Sequence, residues 1–475
     1  MRQLEDKLLN QLPLIIQGGM GVAVSGWLLA KTVSQMDQLG VISGTAVSVT
    51  MAHRLQQGDV GGHLQRALKH FPVPAIAERV CNAYFLPGGK PPDAPYKSVP
   101  LPSLEPSRAF LELALAANFA EVFLAKEGHQ GVVGINLLEK IQLLTLPSLL
   151  GAMMAGVDYV LMGAGIPRSI PGVLDDLAAG RRTELKLDVQ GDPSGEGCTV
   201  ALDPHAILGN GATSGLKRPR FLGIVSSATL AMGLARKSTG RVDGFVVEGA
   251  TAGGHNAPPR GPQQVNPAGE PVYGPRDAAD LAKIRKLGLP FWLAGSHGRP
   301  GCLSEARALG ASGIQVGTAF AFCAESGLSP ELKRQAVSLS QTNTARVFTD
   351  PVASPTGFPF KVVELPGTLS EEEEYASRKR VCDLGYLRTA YVNDEGKKGW
   401  RCAAEPVEDY VRKGGDIADT VGRKCLCNGL MANVNMGQVQ RDGSVERLLV
   451  TSGDDVANVA RFVPEGATSY SARSV

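Results

Sequence analysis

Short, continuous apolar runs recur along the first two-thirds of the chain, at residues 14–17, 41–44, 132–136, 159–163, 221–225, 244–248, 291–294 and 314–317. Each run leads into a Gly-rich or polar turn and then a stretch with helical apolar spacing. Unbroken apolar runs suit strands buried on both faces, and their alternation with helices makes the sheet parallel. Eight such units predict a closed (β/α)8 TIM barrel rather than an open doubly wound sheet. Ser25 is placed to cap a helix over 26–38, and Ser226 or Ser227 one over 228–237. The most apolar segment, 143–166, is interrupted by Pro147, Gly156 and Asp158. It reads as a buried helix followed by a strand, not as a membrane span.

Three stretches break the rhythm. Residues 46–131 form a long insertion after the second strand, helical at both ends with a Pro-rich middle over 86–106. Residues 183–189 and 199–202 flank the turn-rich 191–197 and predict a hairpin. The Gly/Pro-rich loop 258–275 follows the sixth strand, where barrel active sites are built, and is either a lid or a static surface loop. The barrel is expected to occupy 1–325. A C-terminal extension, 326–475, is expected to be mixed α+β, with a helix opening at Glu371–Glu374 under a Ser370 cap and a fraying tail over 464–475.

A length of 475 residues accommodates a barrel of about 250 residues together with these additions. Basic and acidic side chains nearly cancel, 48 against 46, so no large field points to nucleic acid or a membrane surface. Aromatic residues are 5% of the chain, too few for base-stacking platforms. Residues 1–12 carry both charge signs and no apolar core of a secretory signal, so a cytoplasmic protein with reduced cysteines is expected. No oligomeric state follows from these features.

Four of the eight cysteines, Cys382, Cys402, Cys425 and Cys427, lie in the basic C-terminal segment. Zinc or an iron–sulfur cluster would use such thiols, but the spacing is not the usual Cys-x-x-Cys. The favoured reading is reduced structural thiols and no metal. The alternative is that the stretch 423–430 packs beside the barrel mouth, where Arg423 and Asn428 would touch substrate.

Two turns suggest a phosphate site. Residues 292–300 and 314–320 follow the last two strands, where barrels often hold phosphates on backbone N–H groups. Gly295 and Gly317 lack Cβ, and Ser296 and Thr318 add hydroxyls. The plainer reading is two turns that merely close strands. His297 beside them is either a phosphate donor or structural. His255, after Gly253-Gly254 at the end of the sixth run, has an ordinary pKa near 6.5, suited to proton transfer. A lone His is more often structural; its strand-end position favours function. No nucleophile elbow, Walker loop or zinc-protease helix is present, and no strand end carries a lysine for Schiff-base chemistry.

In order along the chain stand Gln17-Gly-Gly-Met20, Gly134-Ile-Asn-Leu-Leu138, Gly163-Ala-Gly-Ile-Pro167, Ala252-Gly-Gly-His255, Ala294-Gly-Ser296 and Gln315-Val-Gly-Thr318. Together they resemble the motifs of the nitronate monooxygenase (2-nitropropane dioxygenase-like) family and its relatives, the flavin-type enoyl-ACP reductases, over residues 12–325. The resemblance implies FMN on a barrel. By that likeness Gln17, Gly18, Gly19 and Met20 pass beside the isoalloxazine, and Asn136 donates to its polar edge. Gly163, Ala164, Gly165 and Gly254 line the pocket, Ala294, Gly295, Ser296, Gln315, Gly317 and Thr318 surround the phosphate, and His255 faces a small-molecule substrate. Thr251 stands where the family's box commonly has Glu, Gly19 where it has Pro, and Ser296 where it has Gly.

The implied reaction is oxidation of a nitronate or nitroalkane by O2 to a carbonyl and nitrite, with His255 removing the α-proton or binding the nitro oxygens. The alternative is NAD(P)H-dependent reduction of an enoyl thioester. A flavin-free barrel acting as a binding module is the third reading.

Overall fold

The computed structural model describes residues 12–475 except 193–196, 210, 212, 263 and 394. Residues 1–11 and the tip of the expected hairpin turn therefore lie outside the described residues. Eight strands form the parallel sheet: β1 (Ile15–Gln17), β2 (Gly40–Ser43), β3 (Val133–Leu138), β4 (Tyr159–Gly163), β5 (Arg220–Val225), β6 (Gly244–Glu248), β7 (Phe291–Ala294) and β8 (Gly313–Val316). Neighbours pair in parallel from β2 through β8, and β8 pairs with β1. Closure is made just ahead of β2. Gln17 N donates to Leu39 O at 2.9 Å and Leu39 N to Ile15 O at 3.1 Å. The Gln17 side chain extends the seam, its Oε1 accepting from Val41 N at 3.0 Å.

The apolar runs are continuous because both strand faces are buried. Ile16, Val41, Tyr159, Leu161, Leu222, Val246, Trp292 and Ala294 form a separate cluster, while Val160, Met162, Phe221, Phe245 and Phe291 join the larger core shared with the helices. The alternation at 159–162 is the period of two expected for a strand with apolar partners on each side. Trp292 keeps its indole N–H satisfied on Pro13 O at 2.8 Å.

Four helices occupy the stretch after β2: Val47–Gln56, His63–Leu68, Pro74–Tyr84 and Arg108–Lys126, with no regular element over 86–106. The segment 143–166 resolves into the helix Gln142–Met154 and β4. The expected hairpin is present as Thr183–Leu187 paired antiparallel with Cys198–Leu202. Ser227 caps Ala228–Lys237 by accepting from Leu230 N at 3.1 Å.

Ser25 does not cap its helix, which starts at Trp27 after Gly26. Its hydroxyl is taken up by the β1 turn, accepting from Met20 N at 2.9 Å and Gln17 Nε2 at 2.8 Å and donating to Gly18 O at 2.9 Å. Ser370 likewise caps nothing. It bonds Leu365, and the helix Glu372–Ser377 begins after Glu371.

β8 is followed by the short helix Thr318–Ala321 and then by Pro330–Gln341. Beyond it, Val347–Asp350 pairs with Phe360–Val363, and Thr389–Val392 pairs with Lys398–Arg401. The tail does not fray. Buried Tyr470 donates to Ala319 O at 2.6 Å, and Ala472 N donates to Glu325 at 2.8 Å, so an aromatic anchor docks the last turn against the chain that follows β8.

Candidate active site

A cavity opens at the C-terminal ends of the strands. Gly18, Gly19 and Met20 follow β1, Asn136 stands on β3, and Gly163 and Ala164 close β4. Gly254 and His255 follow β6, while Ala294, Gly295 and Ser296 end β7 and Gln315, Gly317 and Thr318 end β8. All border this one space. Gln17 does not. Fully buried, it holds the barrel seam and the β1 turn, since its amide is spent on Val41, Ser25 and Gly18.

The β1 turn can lie this close to β3 only because Gly19 lacks a side chain. A Cβ there would sit 2.4 Å from Cβ of Asn136. Asn136 Nδ2 donates to Gly19 O at 3.2 Å, which fixes the turn against the cavity. The turn after β7 needs positive φ at Gly295 (104°) and at Ser296 (53°). A chain bent in this way presents successive backbone N–H groups to an anion.

Thr318 Oγ1 accepts from Gly453 N at 3.0 Å, so its own proton remains for a ligand oxygen. No Lys or Arg lines the cavity among the described residues, so amide and hydroxyl donors would carry the phosphate. Two buried atoms on the wall lack partners, Gln315 Oε1 and His297 Nδ1. Unmet polar atoms at a cavity wall call for a ligand that pairs with them. The site thus fits a flavin phosphate at its β7–β8 end and a polar heterocycle above.

His255 is held from three sides. Gly254 N donates to Thr451 Oγ1 at 3.1 Å, Lys361 N donates to Gly254 O at 2.9 Å, and His255 itself bridges antiparallel to Phe360. Its Nε2 meets Ser354 Oγ at 2.7 Å, and its ring stands edge-on to Phe360 at 4.9 Å. His255 is partly exposed and lines the cavity, and burial lowers its pKa to about 4. At neutral pH the imidazole is uncharged and can accept a proton. Glu248, at the end of β6, also borders the cavity, and burial pushes its carboxyl up to about 7. It stands three residues before Thr251, the position where the family's box carries its acid.

The C-terminal extension completes the wall with Phe360, Tyr386, Leu426, Cys427, Leu430 and the turn 451–453. Of these, Phe360, Tyr386 and the turn 451–453 were not singled out by pattern, whereas Leu426, Cys427 and Leu430 belong to the stretch 423–430 expected at the barrel mouth. For the turn 451–453 the available signal was Thr451-Ser-Gly, a hydroxyl-and-glycine turn like the one at Gly317-Thr318. The stretch 423–430 does reach the barrel mouth, but Arg423 and Asn428 do not face the cavity. Arg423 donates to Val352 O at 2.7 Å and also binds Ser354 O, and Asn428 donates to Asp383 at 2.7 Å.

Residues 210–355 match the family model for nitronate monooxygenase. The match runs from before β5 through Ser354 and includes the His255 box and both phosphate turns. It bears out the resemblance read from the sequence and places the chain among the flavin-dependent oxidoreductases. Among curated proteins, none matches.

Solved structures with similar coordinates include FabK of Thermotoga maritima (17% identity, TM-score 0.40, 78% of each chain covered). The nitroalkane oxidase of Streptomyces ansochromogenes gives 15% and 0.41, covering 75% of this chain and 79% of that one. The enoyl reductase domain of MlnA from Bacillus amyloliquefaciens gives 11% and 0.45, covering 99% and 93%. Likeness at this level bears on neither substrate nor cofactor.

Proposed function

We propose that the chain binds FMN and oxidises alkyl nitronates with O2 to the carbonyl and nitrite. The observation that carries this reading is a neutral imidazole, His255, held by Ser354 over a cavity that ends in two phosphate-type turns. Bound flavin would supply the electron-accepting chemistry. Its phosphate would rest on Gly295, Ser296, Gly317 and Thr318, and Gly18 to Met20 and Asn136 would border the ring.

His255 would bind the nitro oxygens when the substrate arrives as a nitronate and accept the α-proton when it arrives as a nitroalkane. Ser354 would hold the ring through Nε2, leaving Nδ1 for the substrate. Leu138, Ile141, Ile224, Leu426 and Leu430 would exclude water and take up the alkyl chain.

The same apolar wall favours a second reading, reduction of an enoyl thioester by NAD(P)H, because it is larger than a short nitroalkane needs. Anaerobic mixing of the yellow protein separates the two. Bleaching by alkyl nitronate but not by NADPH is expected, and rapid bleaching by NADPH alone would sink the first reading. Replacement His255→Asn should cut turnover of neutral nitroalkane by about 10²–10⁴-fold and of preformed nitronate much less.

A further inference from the structure

A second cavity, of ≈ 450 Å³, lies beside the first, between the chain that follows β5 and the chain that follows β6. That volume is within the range of small-molecule sites. Glu248 borders both cavities. Seven residues on, two neighbours divide between them: His255 borders the active-site cavity and Asn256 the second one. The chain is extended there, with His255 bridged to Phe360 and Asn256 N donating to Pro359 O at 2.9 Å, so successive side chains face opposite ways.

The Gly/Pro-rich loop after β6 supplies Pro258, Arg260 and Tyr273 to this wall. It is tied down, since Tyr273 donates to Ala257 O at 3.0 Å and Arg260 N to Asp277 Oδ1 at 2.7 Å. The Arg260 guanidinium donates only to carbonyls, Arg276 O at 2.6 Å and Ser226 O at 3.2 Å, so among the described residues it has no acidic partner. The bond to Ser226 sets its charge next to the helix Ala228–Lys237, whose cap is Ser227. Ser227 satisfies Leu230 N with its side chain and Ala231 N with its carbonyl. The N–H groups of Ala228 and Thr229 keep no protein acceptor among the described residues. A cation beside open helix N–H groups favours an anion.

An anion alone would leave one group unmet. Asn256 is 2% exposed, and its Nδ2 donates to Ala252 O at 3.1 Å while its Oδ1 has no partner. A buried acceptor of this kind calls for a donor, which a ligand N–H would supply. Leu230, Ala250, Ala257 and Pro258 offer apolar surface between the two polar ends of such a ligand.

We propose that the second cavity binds a small phosphomonoester carrying an N–H donor at its far end. The phosphate rests on Arg260 and the helix start at Thr229, and the donor meets Asn256 Oδ1. Because the ligand also touches Glu248, it lies one side chain from the active-site cavity. Neither Arg260 nor Thr229 borders that first cavity, so the site stands independently of the flavin reading.

Calorimetric titration of the full chain, loaded with FMN and desalted, tests the site. AMP is the probe, compared with ribose 5-phosphate, which lacks the amino N–H, and adenosine, which lacks the phosphate. AMP should bind saturably below about 1 mM. Ribose 5-phosphate should bind about fivefold more weakly, and adenosine about tenfold or more. Arg260→Gln should weaken AMP about tenfold or more. Thr229→Glu places a negative charge at an exposed helix start, which suits the helix, and should abolish AMP binding. Asn256→Ala should erase the preference for AMP over ribose 5-phosphate; if that variant does not fold, the wild-type comparison of the two probes decides the same point. Failure of AMP to bind would overturn the proposal. So would AMP binding that is unchanged in folded Thr229→Glu and Arg260→Gln, or AMP that binds no tighter than ribose 5-phosphate or adenosine.

Discussion

Ser354 Oγ lies 2.7 Å from Nε2 of His255, and the two residues are 99 positions apart. Ser354 is itself fully buried and bonded to Thr356 Oγ1 at 2.8 Å, so the hydroxyl that meets the imidazole is held in place. Replacement Ser354→Ala removes a buried partner, a loss of about 1–3 kcal/mol, or roughly 5- to 150-fold, in kcat/KM. Steady-state kinetics on nitroalkane and nitronate check this. Equal kcat/KM in wild type and variant would show that Ser354 does not orient His255.

Glu248 gives the cavity a group that titrates near neutrality, since burial raises its carboxyl from 4.5 to about 7. The His255 imidazolium, lowered to about 4, is already deprotonated there. The pH profile of kcat/KM should therefore carry a limb near pH 7 that disappears in Glu248→Gln, while a limb near pH 4 persists. If the variant keeps the neutral limb, that limb belongs to another group.

His53 is buried and stacks on Tyr96 with ring centroids 3.7 Å apart, and burial lowers its pKa from 6.5 to about 4. The folded state thus binds fewer protons than the unfolded chain between these values. Its stabilising contribution is complete above about pH 6.5 and is lost as pH falls toward 4. His255 acts in the same sense, and Glu248 in the opposite one between 4.5 and 7. Replacement His53→Phe should shrink the drop in Tm between pH 7 and pH 4.5. An unchanged drop, measured by calorimetry, would remove His53 from the acid response.

Tyr470 connects the last turn to the cavity wall of the barrel, because Ala319, which accepts its hydroxyl, follows Thr318 directly. Replacement Tyr470→Ala deletes a buried aromatic ring and should cost about 3–5 kcal/mol. Flavin retention on desalting should fall as well, whereas Tyr470→Phe should lose only the hydrogen bond, about 1 kcal/mol. A Tyr470→Ala protein with wild-type Tm and full flavin would mean the tail is not anchored there.

The barrel was legible because burial on both faces writes each strand as an unbroken apolar run, and the turns after β7 and β8 announced themselves by glycine beside a hydroxyl. His255 was legible for the same reason, as a titratable side chain at a glycine-rich strand end. The roles of Gln17 and Ser25 were not. An amide and a hydroxyl near the site look the same in sequence whether they face a ligand or knit a turn, and only their partners distinguish the two.

The sequence by itself determined the period of the chain, and with it the barrel, the order of the strands and the loops that meet at one end. The tertiary structure alone decided what closes that end. Gly254 meets Thr451, Thr318 meets Gly453, His255 meets Ser354, and four scattered cysteines meet one another. The three hydrogen bonds join short polar groups 99 to 197 residues apart, and such contacts leave no periodic trace. A repeating burial pattern is written in neighbouring residues, whereas a single hydrogen bond between distant loops exists only once the chain has folded.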